Sequence, residues 1–478
     1  MTTHTFDLVI RNAHAATASD TFKCDIGIQD GRIAQLGLGI ASGSKEIDAQ
    51  GAWVTPGGID GHCHLDEPIP PPLRMADNFE TGTRSAACGG TTTIIPFAVQ
   101  RKGQSLREAV SNYHDRAQDL ACIDYGFHMI ITDPSEQVLQ ELPGLIDEGY
   151  TSFKMYMTYE DMKLNDHQIL DLLDIARTKN AMAMVHAENA DCIEWLTRRL
   201  EQQERTSPRY HAHSRPMLVE REATHRAISL SELAGAPIMI VHVSGKEAMD
   251  QIRWARNRGI TIYAETCPQY LFLTEQDLGC DDRYEGARCV CSPPPRDKNN
   301  QQFVWQGLSD GLFTIFSSDH APFSYDSPEG KKPGGKQVPF RRIPNGIPGL
   351  ETRLALLFSY GVLDGRLSIN RFVELTSTNP AKAYGLHPRK GTIAIGADAD
   401  LVIWSEDPQT IQNINLHHAV DYTPYEGIGL RAAPGLTLSR GQIVYDHGTF
   451  KGAAGQGQFL RRTAPTLQPI HSPGSENQ

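Results

Sequence analysis

TSFKMYM, residues 151–157, is the stretch that decides the fold: a short apolar run with the look of a buried strand, and a lysine, Lys154, at its centre. Lysine is among the least buried residue types, and an unpaired ammonium is costly to bury. The run is not alone. Similar ones occur around 55–64, at TTTIIPF (91–97), DYGFHMII (124–131), AMAMVHA (181–187), PIMIVHVS (237–244), ITIYAET (260–266) and FTIFSSD (313–319). Helical patterns fall between them, among them SLREAVSNYHDRAQDL (105–120) and ATHRAISLSELAG (223–235). Eight strand–helix alternations over roughly 270 residues match the size of a TIM (β/α)8 barrel. A doubly wound open sheet gives the same alternation.

The two ends have a different vocabulary. FDLVIRNAH, DIGIQDGRIAQLG and KEIDAQGAWVTPGG at the start, and GTIAIGADADLVIW and GLTLSRGQIVYDHG near the end, are short β-rich pieces broken by turn residues. Asp30-Gly31 between two apolar pieces is a hairpin signal. We therefore expect an α/β protein: a barrel over 55–388 and a small β-sandwich built from 1–54 and 389–450. Two separate β modules are the alternative. Residues 451–478 are expected as a tail; its last fifteen, APTLQPIHSPGSENQ, read as polar chain, disordered or laid on a neighbouring subunit.

The chain has 478 residues, a formal charge of -12 and nine cysteines. No basic run stands out, which argues against nucleic acid. No apolar stretch reaches the roughly 18 residues of a membrane span. The cysteines form no C-x-x-C pair and the N-terminus has no leader-like segment, so a soluble cytoplasmic protein is expected.

Polar residues gather at particular places on the strands. His62 and His64 in GHCH are two apart, so in a strand they face one side. His186 and His242 close two apolar runs, Asp319 closes a third, and Lys154 lies inside a fourth. Taken singly, the histidines read as hydrogen-bonded core residues, Asp319 as a helix cap, and Lys154 as a snorkelling surface residue. Taken together, they sit on or at the ends of five barrel strands, the face where barrel side chains converge. Four histidines and a carboxylate suit borderline divalent metals such as zinc. An ammonium beside two dications is repelled. A carbamate formed from the Lys154 amine and CO2 would instead be an anionic, two-oxygen bridge.

The order H-x-H, strand lysine, His, His, Asp resembles the cyclic amidohydrolases of the amidohydrolase superfamily, in particular the dihydropyrimidinase and hydantoinase branch, phenylhydantoinase included. The likeness extends through PGGIDGHCHLDEP, ETGTRSAACGGTTTII, SFKMYMTYEDMKLND, VHAENAD, IVHVSG, AETCPQYLFL, CSPPPRD, SSDHAPF, NGIPGLETR and RKGTIAIGADADLVIW, nearly the whole chain. It implies a TIM barrel with a β-sandwich from both termini. It makes His62, His64 and Asp319 ligands of one metal and His186 and His242 ligands of the other, with Lys154 as the carboxylated bridge. The metals would be two divalent ions, zinc, with manganese or cobalt as alternatives. Tyr159 matches the tyrosine that bonds the developing oxyanion, and Ser292 and Asn345 match positions that hold the cyclic amide. The implied reaction is attack of a metal-bridging hydroxide on a ring carbonyl, with Asp319 shuttling the proton, to give an N-carbamoyl amino acid. A homotetramer is also implied.

Two features depart from the pattern: IIPF, where relatives often have an acidic residue, and alanine in SSDHAPF, where many hydantoinases have cysteine. The proline-rich DEPIPPPLRMADN after strand one is expected to overhang the site. Allantoinase and dihydroorotase are the neighbouring readings. Against them stand Asp66, where dihydroorotases tend to place an arginine, and Tyr159, which allantoinase-like chains usually lack. Collapsin-response mediator proteins, interaction proteins without the metal centre, are a non-catalytic alternative, but here all six ligand positions are filled.

Overall fold

A computed structural model describes residues 5–468. The strand of the opening stretch runs Ser152–Tyr156 with every residue buried, as does Met182–His186. Strands covered on both faces are what a parallel sheet wrapped in helices requires. One parallel ladder links Gly58–Asp60, Thr91–Ile94 and Asp124–Tyr125. A second runs Phe97–Val99, His128–Ile130, Ser152–Tyr156, Met182–His186, Ile238–Ile240, Ile262–Thr266 and Ile315–Phe316. Strands two and three each contribute to both ladders and break in the middle. Pro96 lies at one break; it has no amide hydrogen for a ladder, although its carbonyl still accepts from His128 N–H at 2.9 Å. A parallel bridge between Cys63 and His320 joins the first strand's end to the last. That closure makes a TIM barrel and removes the doubly wound alternative.

Alternation along the strands sorts side chains by layer. In Met182–His186, Ala183 and Val185 pack beneath the helices, whereas Met182 and Met184 fill the barrel interior with Ile59, Phe97, Tyr156 and Met239. With a period of two, His186 follows Met184 inward, and Lys154 shares the inward face with Tyr156. The surrounding helices start where their caps place them. Asn78, Ser105, Ser135, Asn165 and Asn189 each accept backbone N–H groups at the start of Phe79–Cys88, Leu106–Ala117, Glu136–Asp147, Asp166–Lys179 and Ala190–Gln202. Such a cap stabilises by about 1 kcal/mol.

Both termini build one nine-stranded sheet, with Trp53–Pro56 pairing on one side with Phe6–Ala16 and on the other with Leu401–Ser405. Leu8, Ile10, Ile26, Val54, Leu401 and Leu438 share its core, so the ends form a single β unit. Asp30 and Gly31, with φ of 51° and 74°, make the expected hairpin.

The closing segment differs from expectation. Phe459 bridges Tyr125, and the Arg462 guanidinium donates to Ser152 Oγ at 2.7 Å and to the Phe127 carbonyl, at the N-terminal end of the barrel. Thr463 and Thr466 N–H donate to the carbonyls of Gly385 and Lys382. Residues up to 468 thus cover the bottom of their own barrel, because Leu460 and the Arg462 donors find buried partners there. The rest of the expected tail, 469–478, lies outside the described residues. Among the described residues no helix is long and apolar enough to cross a membrane.

Candidate metal centre

The C-terminal ends of the strands bring all six expected ligands to one place. His62 and His64 follow Gly58–Asp60, His186 ends its strand, His242 follows Ile238–Ile240, and Asp319 follows Ile315–Phe316. Lys154 sits deeper, within its strand, with its Nζ 2.8 Å from His62 Nε2. Gly61 must be glycine for this arrangement, since a Cβ there would lie 2.2 Å from the Tyr384 ring.

Carboxylates behind the imidazoles fix their orientation. His62 Nδ1 donates to Glu265 Oε1 at 2.6 Å, His64 Nδ1 to Glu67, and His186 Nε2 to Glu188 Oε2 at 2.7 Å. Each partner holds a proton on the far nitrogen, so it is the near nitrogen that becomes the lone pair when a metal displaces its proton; this is the support that metal-binding histidines receive. His62 Nε2 and His64 Nε2 then face Asp319 Oδ1 at 3.2 and 3.5 Å. A proton on either Nε2 makes its contact a hydrogen bond to Asp319; once both are deprotonated, the three atoms are lone pairs converging where one cation would hold them. His62, His64 and Asp319 offer their ligand atoms within 4.8 Å of one another. Beside them His186 Nδ1 and His242 Nε2 are 2.9 Å apart, and His242 Nδ1 is buried without a partner among the described residues. The donor set fits a pair of divalent metals.

Burial alone would raise Asp319, but the charge and hydrogen bond of His62, with that of His64, hold it well below the usual carboxylate range. Burial opposes charge on His64, yet Glu67 and Asp319 raise it to about 9. Lys154 is lowered to about 8 by burial, against the pull of Asp319 and Glu265. Glu188, which burial would raise, falls to about 2 beside Arg215 and His186. Arg215 Nη1 donates to Glu188 at 2.9 Å.

A cavity of about 210 Å3 opens onto this cluster, and Tyr159, Ser292 and Asn345 line it with His64, Lys154 and Asp319. Asn345 Nδ2 donates to the Tyr159 hydroxyl at 3.2 Å. Burial pushes the Tyr159 phenol up, so it stays a donor. Ser292 Oγ is buried and has no partner among the described residues. Tyr159, His242 and Asp319 have φ of 63°, 39° and 49°. Left-handed backbone is unusual for such residues and costs about 1–3 kcal/mol each, a pattern that gathers at working sites.

Three carboxylates escaped the sequence reading: Glu265, Glu188 and Glu67. Glu265 had a visible signal, since it comes next to last in ITIYAET as Asp319 ends FTIFSSD. Glu67 belongs to the overhanging insertion, which also brings Ile69 and Met75 to the cavity wall. Asp66 pairs with Arg116 at 3.0 Å and is not part of that wall. Ala321, the departure in SSDHAPF, lines the cavity.

The amidohydrolase family profile matches residues 53–444. A D-hydantoinase of Rhizobium radiobacter is 44% identical over 458 residues, covering 95% of this chain and 99% of that one. A D-phenylhydantoinase of Escherichia coli O1:K1 / APEC is 42% identical over 468 residues, with 97% and 99% covered. The crystal structure of dihydropyrimidinase from Brevibacillus agri NCHU1002 superimposes with a TM-score of 0.93 at 41% identity, over 96% of this chain and 99% of that one. With its closed barrel, its β unit of both termini and its ring of carboxylate-backed histidines, this chain belongs to the amidohydrolase family, in the hydantoinase and dihydropyrimidinase branch.

Proposed function

We propose that this cavity opens the cyclic amide bond of hydantoins or dihydropyrimidines to give N-carbamoyl amino acids. The observation that carries the reading is the convergence of ligand atoms from His62, His64, Asp319, His186 and His242 beside Lys154. His62, His64 and Asp319 would hold one divalent metal and His186 and His242 the other. Zinc is proposed, with manganese or cobalt as alternatives. When bound, the two ions would supply an acidified water as nucleophile and draw electrons from the ring carbonyl.

The chain's own groups do the rest. Lys154 forms the carbamate: its neutral amine bonds to the carbon of CO2, one N–H proton leaves, and the product carries a negative charge. A pKa of about 8 leaves about a tenth of the amine neutral near pH 7. Glu265, Glu67 and Glu188 keep the imidazole lone pairs aimed inward. Asp319, held ionised, accepts the proton of the attacking water and delivers it to the leaving ring nitrogen. The Tyr159 hydroxyl donates to the carbonyl oxygen as negative charge develops there. Ser292 and Asn345 hold the ring, while Ile69, Met75, Met162 and Phe323 form the apolar wall for its substituent.

Hydrolysis of dihydrouracil and 5-phenylhydantoin, side by side and with or without chelator, tests the reading on protein grown with bicarbonate and loaded with metal. Chelator-sensitive ring opening of either is expected, and the rate ratio ranks the rings. No opening of either by metal-bearing protein would overturn the assignment and point to allantoin or dihydroorotate. A homotetramer is proposed on family likeness; light scattering that gives the mass of one chain would refute it. A cytoplasmic location is proposed on the nine unpaired cysteines.

A further inference from the structure

Lys331 has no part in the chemistry above, yet it is fully buried. Among the described residues no carboxylate lies within ion-pair reach of it. Its Nζ donates to two backbone carbonyls, Val290 O at 2.8 Å and Pro344 O at 2.7 Å. Val290 O also accepts Gly346 N–H at 3.0 Å. The lysine is itself anchored: its N–H donates to Ser324 O at 2.8 Å, and its carbonyl accepts from the Tyr284 hydroxyl at 2.6 Å. Val290 is two residues before Ser292, and Pro344 precedes Asn345. Both Ser292 and Asn345 line the metal-facing cavity.

We infer that Lys331 is a positioning residue: its amine clamps 290–292 to 344–346 and so sets the gap in which the substrate ring is held. This rests on the proposed ring-opening function. An unpaired amine is costly to bury, and a site that needed only packing would take methionine or leucine. What the amine adds is two N–H donors for the carbonyls of two buried residues, Val290 and Pro344, groups that are costly to leave unbonded. The titratable groups nearby are the thiols of Cys289 and Cys291, the Tyr284 phenol and His211. None supplies a counter-ion: burial keeps both thiols protonated and lowers His211 to about 3. Burial also lowers Lys331 to about 7, and the amine keeps both donors whether charged or neutral.

Lys331→Met is one atom shorter, keeps an apolar stem and removes both donors. Lys331→Gln, also one atom shorter than lysine, keeps a donor for one carbonyl at most. Steady-state kinetics on 5-phenylhydantoin, metal content, and amide hydrogen exchange of peptides spanning 288–293 and 343–347 are read on both. Loss of the clamp is expected to raise KM about tenfold in the methionine variant and less in the glutamine one, with kcat within about threefold. Metal content stays unchanged, and exchange quickens in the two segments. A folded variant with unchanged KM and unchanged exchange overturns the inference. So does a fall in metal content together with kcat, which would make Lys331 a support of the metal centre. Failure of both variants to fold reduces Lys331 to a stability residue and also overturns it. If the wild type opens neither ring, the functional reading fails, while hydrogen exchange still judges the clamp.

Discussion

Two lysines at opposite ends of the barrel are equally buried, each 1% exposed, and have opposite fates. Lys154, near the C-terminal mouth, has His62 Nε2 at 2.8 Å and no carboxylate in ion-pair contact among the described residues. Lys390, beneath the barrel, touches Asp124 at 2.6 Å, Asp400 at 2.6 Å and Asp398 at 3.1 Å. Burial lowers the first to about 8. On the second it acts the same way, but three carboxylates overcome it and hold the ammonium above its ordinary value. Burial sets the cost of the charge; the neighbours decide how firmly the proton is held. The bottom lysine is a fixed cation joining the barrel to the β unit, and the mouth lysine is an amine left open to chemistry.

The largest expected effect separates the two roles. Lys154→Ala should lower turnover by at least about 10³-fold and cut bound metal, with the folded circular dichroism spectrum retained. Unaltered turnover would falsify the carbamate. Lys390→Met should do the converse: removing the cation shared by three buried aspartates, of which Asp124 keeps Arg440 at 3.1 Å and Asp398 keeps Arg389 at 2.9 Å, costs about 3–5 kcal/mol, read as a lower denaturant midpoint, while the folded enzyme keeps its kcat. An unchanged midpoint would show that the aspartates find protons and that the pairing is dispensable.

Within the mouth, Tyr159→Phe should cost about 10²–10³ in kcat with metal content intact; a normal rate would demote the hydroxyl to packing. Glu265→Gln should weaken metal affinity about 10–100-fold, measured by chelator competition, and an unchanged affinity would remove its orienting role. The smallest effect is a slope. Lys331, about 7 folded against 10.5 for an ordinary lysine, binds fewer protons in the folded state than in the unfolded state between those values. Stability should therefore rise with pH across that window by at most about 1.4 kcal/mol per unit. Lys390, raised in the fold, loses its contribution as pH climbs through its folded pKa. Denaturation from pH 7 to 10 should show a more positive slope in wild type than in Lys331→Met, since Lys154, also lowered, contributes alike to both. Equal slopes would mean that Lys331 is not depressed.

Much of the site was visible in sequence because barrel strands are short apolar runs, and a charged or imidazole residue inside or at the end of one stands out. His186 after AMAMV, His242 after PIMIV and Lys154 within SFKMY are cases. Glu188 and Glu67 were hidden among ordinary loop residues. Only the folded contacts, Glu188 with His186 and Arg215 and Glu67 with His64, give them a role. The left-handed backbone at Tyr159, His242 and Asp319 leaves no trace in residue type, since nothing like glycine marks it. Lys331 was equally silent: in GKKPGGK it reads as one of several surface lysines.

By itself the sequence determined the alternating strands and helices, the β-rich ends and the identities of the groups at the strand ends, because hydrophobic periodicity and residue chemistry are local properties. Tertiary structure alone decided that the sheet closes, through Cys63 and His320. It also decided that residues up to 468 cover the barrel floor, and how firmly each of three buried lysines holds its proton. Those outcomes depend on distances between residues far apart in the chain, and the energy of a buried charge is set by what the fold places within a few ångströms of it.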